Sequence, residues 1–138
     1  TELAVTLETL TTQRRRTLRL LERLPGAVLD RDDPQRHMPT WARWRTIRDN
    51  LWHIADTESR YYLPSLDLPS KEREPDLETE LRASATHVHE VVHHLPRDLV
   101  VSGDEVWTST KVLRRLAWHE AGEVDAIEAL LKSWSFKG

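Results

Sequence analysis

Apolar residues recur every three or four positions in four separate stretches of this chain, and prolines punctuate them. That spacing is the face of an α-helix, and a proline inside such a pattern ends it. The first stretch is expected from about Glu2 to Leu24, with Leu3, Leu7, Leu10, Thr17, Leu20, Leu21 and Leu24 on one side and one polar gap between Leu10 and Thr17. Pro25 and Gly26 stop it. The second starts near Thr46, which forms a capping-box pattern with Asp49, carries the stripe Ile47, Leu51, Ile54 and Tyr61, and stops at Pro64. The third covers about Asp76 to Leu95 with Leu77, Leu81, Val88, Val92 and Leu95, and Pro96 ends it. The fourth runs from near Thr108 to about Trp134. Leu99, Val100 and Val101 read as a packed loop rather than a strand, so no strand is expected.

Four amphipathic helices on a chain of 138 residues predict one all-α domain spanning 1–138, a four-helix bundle. The connections are roughly ten to twenty residues, longer than a minimal bundle needs, and long loops often carry function. The net charge is −3, so no basic field points to nucleic acid. The run Arg14-Arg15-Arg16 reads as a solvated helix face. There is no cysteine, which removes disulfides and thiolate ligands and fits a cytoplasmic protein. No apolar run has transmembrane length and no secretory signal opens the chain. Thr1 in place of Met is what a trimmed or processed start would leave.

Chemistry enters at "WHEAGEVD", Trp118 to Asp125, which begins like the zinc-protease signature HExxH but has Glu123 where that signature has histidine. A wheel at about 100° per residue puts Glu120 near the centre of the apolar side of the fourth helix, Glu123 roughly 60° away and His119 roughly 100° away. Burying unpartnered carboxylates is costly, so these groups need a cation, a paired base or water. His119 and Glu123 are four residues apart and can share one ion. His53 is the leading third ligand, on a polar helix edge with Asn50 and Thr57, and Glu58 is the alternative because it lies at the centre of the second helix's apolar face. Two imidazoles and a carboxylate suit zinc, nickel or ferrous iron. The competing reading pairs Glu120 and Glu123 with arginines across the bundle and makes His119 a core histidine. The protease reading is weaker: no third ligand stands downstream, and no sheet edge could align a peptide.

Other features carry less. His89 and His93 have ligand spacing but fall well off the apolar stripe, so they are read as surface or rim residues. His37 lies in a loop and is uninformative. Of the six tryptophans, most are read as core or helix-end anchors, while Trp41 and Trp44 could wall a pocket. "LWHIADTE" and "AWHEAGEV" resemble each other, and each helix is preceded by a tryptophan and a threonine, Trp44 with Thr46 and Trp107 with Thr108.

Those two segments, "WRTIRDNLWHIADTESRYY" (Trp44 to Tyr62) and "VWTSTKVLRRLAWHEAGEVDAIEALL" (Val106 to Leu131), resemble the DinB-like four-helix-bundle superfamily in order and spacing over nearly the whole chain. The resemblance implies an up-down-down-up bundle, often dimeric, that holds a divalent metal through one histidine on the second helix and an i, i+4 pair on the fourth. His53 and His119 match two of those positions, and Glu123 replaces the third histidine. Characterised relatives include S-transferases that use a low-molecular-weight thiol, bacillithiol or mycothiol, and a mycothiol-dependent maleylpyruvate isomerase. The implied function is thus a metal-binding, thiol-dependent transferase or a hydrolase-like enzyme acting on a small molecule, as a homodimer. Glu120 and Glu58 are candidates for a base or for orienting a ligand, a role the resemblance does not supply. A carboxylate at the third position makes the site less positive and a poorer thiol activator than three neutral imidazoles. The alternative is a non-catalytic helical bundle, a small-molecule sensor or stress-related dimer, that has lost the metal.

Overall fold

The computed structural model describes residues 2–36, 38, 44–95 and 100–137, with backbone alone at 100–102. The described chain is mostly helical. α1 spans Glu2–Arg23, the short α2 Gly26–Leu29, α3 Ile47–Asp56, a π-helical turn Thr57–Tyr62 and α4 Leu63–Ser65. α5 follows at Leu77–His93, the strands β1 and β2 at Val100–Ser102 and Glu105–Trp107, and α6 at Ser109–Ser133. Three of the helix starts are capped as their sequences dictate. Thr46 accepts a hydrogen bond from the Asp49 amide, and the Asp49 carboxylate accepts from the Thr46 amide, closing a capping box. Asp76 caps α5 through the Thr79 amide and Thr108 caps α6 through the Lys111 amide.

Two expectations fail in instructive ways. β1 and β2 form an antiparallel hairpin, with Val100 opposite Trp107 and Ser102 opposite Glu105. Gly103 and Asp104 make the two-residue turn, and Gly103 has φ 61°, a conformation that favours glycine. β-Branched residues on both sides of a Gly-Asp pair are a hairpin signal that outweighs the helical surroundings. Tyr61, expected on the apolar stripe, is 72 % exposed. The cause is the π turn, which inserts one residue's worth of rotation into the helix. Ile54, Ala55, Glu58 and Ser59 face inward, and the next core residue is then Leu63 rather than Tyr61 or Tyr62.

The core is two apolar clusters with a polar layer between them. One holds Leu20 and Leu24 of α1, Leu51 and Ile54 of α3, Leu77 and Leu81 of α5, and Val124, Ile127 and Leu131 of α6. The other holds Leu10, Leu63, Val88, Trp107, Leu113 and Leu116. Residue numbers therefore give directions: α1 and α6 run from the second cluster to the first, while the α3–α4 run and α5 run from the first to the second. Surface pairs agree, since Glu2 meets Arg114, Arg16 meets Asp125 and Arg23 meets Glu128. Parallel neighbours need a connection that returns along the helix. Residues 66–76, at ~3.3 Å each, reach roughly 36 Å, more than the ~25 Å of the 17-residue α5.

Four elements contribute to the layer between the clusters: Arg14 and Thr17 of α1, Glu58 and Ser59 of the π turn, Ser84 of α5, and Glu120 of α6, all buried. Arg14 Nε donates to Glu120 Oε2 at 2.8 Å, and Nη2 donates to Glu58 Oε1 and Oε2 at 2.8 Å each. Nη1 donates to the Leu81 carbonyl, and Thr17 Oγ1 donates to Glu120 Oε2 at 2.5 Å. The Ser59 and Ser84 hydroxyls bond each other at 2.5 Å. The expectation that Arg14 belongs to a solvated face is thus corrected: it fills the polar gap in the α1 stripe, because two carboxylates from other helices meet it there. Arg15 and Arg16 are exposed. With both acids ionised, the cluster holds two negative charges on one guanidinium. Burial accordingly pushes the Glu58 carboxyl up, Arg14 opposes this, and Glu120 reinforces it.

Candidate metal centre

α3 and α6 cross so that Asn50 and His53 face His119 and Glu123. The antiparallel packing makes this pairing, because one turn forward on α3 matches one turn back on α6. His53, His119 and Glu123 each offer one ligand atom, and these atoms lie within 4.8 Å of one another. Among the described residues, they form the one such group of three or more. Glu123 Oε1 is 3.7 Å from His53 Nε2 and 3.6 Å from His119 Nε2. Both distances are too long for a direct hydrogen bond. The two imidazoles meet edge to face with centroids 5.2 Å apart.

The surroundings hold each donor in place. Glu123 Oε2 accepts from Asn50 Nδ2 at 2.8 Å, which leaves Oε1 aimed at the histidines. Asn50 is oriented in turn by Arg36, whose Nη2 donates to Asn50 Oδ1 at 2.5 Å. Trp44 stacks on His53 with centroids 3.9 Å apart and planes 22° from parallel, limiting rotation of the ring. Thr57 Oγ1 lies 3.3 Å from both His53 ring nitrogens and can engage only one at a time. Burial lowers the His53 pKa from its ordinary value; Glu123 opposes the shift, and His119 adds to it. The neutral imidazole, the form that binds a metal, is favoured.

This donor set fits a divalent metal. Ligand bonds of 2.0–2.1 Å in a tetrahedron place ligand atoms about 3.3 Å apart. Small rotations of His53 and His119 would close the present spacing to that value. The side chains of His53, His119 and Glu123 are 23 %, 30 % and 17 % exposed, so an open coordination position would face solvent. Beside Glu123 a cleft of about 860 Å³ opens between α6 and the segment before α3.

The remaining candidates fall elsewhere. Glu120 and Glu58, the candidate bases, are fully engaged by Arg14 in the buried layer and do not join the histidine cluster. Glu58 is likewise excluded as the third ligand. His89 is half-buried beside Thr11, and His93 is exposed. Trp107 is buried, Trp118 is 76 % exposed, and Trp44 walls the cleft. His37, Trp41 and Leu99 lie outside the described residues. Sequence reading missed Arg36, which sits in a loop where no periodicity marks a position as pointing toward the site. No family model, curated protein or solved structure matches this chain.

Proposed function

We propose that this chain is a divalent-metal-binding protein of the DinB-like type, with the ion held by His53, His119 and Glu123, and that it is a metal-dependent enzyme acting on a small molecule. The convergence of those three donor atoms carries the reading. The helix directions support an up-down-down-up four-helix bundle, and the two threonine-capped helices that follow Trp44 and Trp107 support the same family. A bound zinc, nickel or ferrous ion would lower the pKa of a water or low-molecular-weight thiol placed at the open position. The chain's own residues supply the rest: Asn50 restrains one carboxylate oxygen, Trp44 fixes the His53 ring, and the adjoining cleft offers space for the substrate. Glu123 in place of a neutral imidazole makes the metal centre harder and less positive, so a poorer thiol activator, which favours hydrolase-like use of water over thiol transfer. By the same resemblance the protein is a homodimer, checked by sedimentation, and the lack of cysteine fits a cytoplasmic location. Among the described residues, no helix is long and apolar enough to cross a membrane.

The test is metal analysis of protein purified without a histidine tag and incubated with zinc, nickel or ferrous iron. About one equivalent per chain is expected, and His119→Ala should lose it. Below about a tenth of an equivalent, or with undiminished metal in His119→Ala, the metal assignment fails. The alternative, a non-catalytic bundle that senses a small molecule, then stands. One observation favours it: Glu123 Oε2 already accepts from Asn50, so the carboxylate has a partner within the bundle without an ion.

A further inference from the structure

The cleft beside Glu123 has a chemistry of its own. Its floor is one face of α6, where Ala126, Ala129, Leu130 and Ser133 recur at helical spacing. Two of these are alanines, and their small side chains leave the space open. Trp44 and Trp134 stand among its walls, and its volume of about 860 Å³ is that of a site for a small organic molecule.

Two carboxylates and two guanidiniums line it, and their circumstances differ. Asp33 Oδ2 accepts from Trp134 Nε1 at 2.7 Å, and its Oδ1 accepts from the Gln35 amide at 2.8 Å. Glu123 is taken by Asn50 and faces the histidines. Arg31 lies over the Trp134 ring at 4.2 Å. Arg36 is half-buried, yet its two hydrogen bonds go to neutral oxygens, Asn50 Oδ1 at 2.5 Å and the Arg45 carbonyl at 3.4 Å. Among the described residues, Arg36 makes no ion pair, whereas Arg14, Arg45, Arg48 and Arg60 each do. A guanidinium removed from water with donors to spare is suited to a bidentate carboxylate.

We propose that this cleft binds a small organic carboxylate, its anionic group on Arg36 and its apolar body against Trp44 and the alanine face of α6. This deepens the reading of the neighbouring cluster as a metal site: Arg36 reaches Glu123 through Asn50, so the bound carboxylate would lie next to the open coordination position. A metal on Glu123 would also offset the strongest of the carboxylates that compete for Arg36, the others being Asp33 and Asp49.

Calorimetric titration with benzoate and 3-phenylpropionate, and with the neutral isostere benzamide, tests this on the whole chain with and without zinc. At least one carboxylate should bind saturably, and benzamide about ten-fold or more weakly than benzoate. Arg36→Gln, verified as folded by circular dichroism, should reduce carboxylate binding to the benzamide level, and Ala126→Trp should abolish it by filling the cleft. Zinc should tighten carboxylate binding. No saturable binding by either carboxylate up to about 10 mM overturns the proposal. So does equal affinity for benzoate and benzamide, or undiminished binding in folded Arg36→Gln. If zinc fails to bind while charge-dependent benzoate binding persists, the metal reading falls and the cleft stands; the reverse removes the cleft alone.

Discussion

Arg14 holds two carboxylates on one guanidinium inside the helix packing, and its removal leaves both buried and unpaired. Arg14→Met should cost about 3–5 kcal/mol in urea unfolding. A loss under about 1 kcal/mol, the size of an exposed pair, would contradict the buried geometry. Glu58 sets a pH signature. Its carboxyl titrates above the ordinary value near 4.5 because burial disfavours its charge. The folded chain therefore holds this proton at pH values where the unfolded chain has released it. The associated stability is fully present below about 4.5 and is lost as pH rises through the folded pKa. Glu58→Gln mimics the protonated form and removes this dependence. Its melting temperature relative to wild type should rise with pH above 4.5; a constant difference from pH 4 to 8 would show that Glu58 does not titrate in this way.

At the scale of the element, the π turn decides which residues of the α3–α4 run reach the core. In an unbroken α-helix, Tyr61 would follow Ile54 and Glu58 onto the stripe. In the structure, Leu63 is fully buried and Tyr61 lies outside. Leu63→Ala should thus cost about 2–5 kcal/mol, whereas Tyr61→Ala should change stability by no more than about 0.5 kcal/mol. Thermal or urea unfolding of the two variants reads the phase directly, and a reversal of their order would restore the α-helical one. The sequence could not disclose this, because a single inserted residue leaves the local pattern of apolar and polar positions nearly unchanged. The capped start at Thr46 was legible, since its capping partner Asp49 stands three positions away, and the helix starts near Asp76 and Thr108 were legible as starts, where the structure adds the caps.

Across the whole molecule, the proposed ion site would join α3 to α6, two helices far apart in sequence, and a ligand that binds only their assembled form stabilises the fold. Zinc at about a hundred times its dissociation constant should add about 2.7 kcal/mol to unfolding. Ethylenediaminetetraacetate should reverse the rise in melting temperature, and His53→Ala should lack it. An equal rise in His53→Ala would mean zinc stabilises the fold from elsewhere. The polar layer belongs to this scale too. It interrupts the core on α1, the π turn, α5 and α6, so sliding α1 or α6 by a turn would part Arg14 from Glu58 and Glu120. We read it as the device that fixes the register of the packing.

What the sequence by itself determined is local: four helical stretches, their caps and breakers, and the placement of His119 and Glu123 on one edge of one helix. These follow from rotation of about 100° per residue and from backbone groups that must be satisfied within a turn. His53 was named as their partner from its matching local setting, and the crossing of α3 and α6 brings it there. Only the tertiary structure decided the fates of the three acids Glu58, Glu120 and Glu123. Glu58 and Glu120 look like site residues on a helical wheel, yet Arg14, more than forty residues from either in sequence, claims both. Glu123, a few tens of degrees off the same face, is left to Asn50 and the histidines. A wheel gives the angle at which a side chain leaves its helix, and the neighbour waiting at that angle is set by packing between helices.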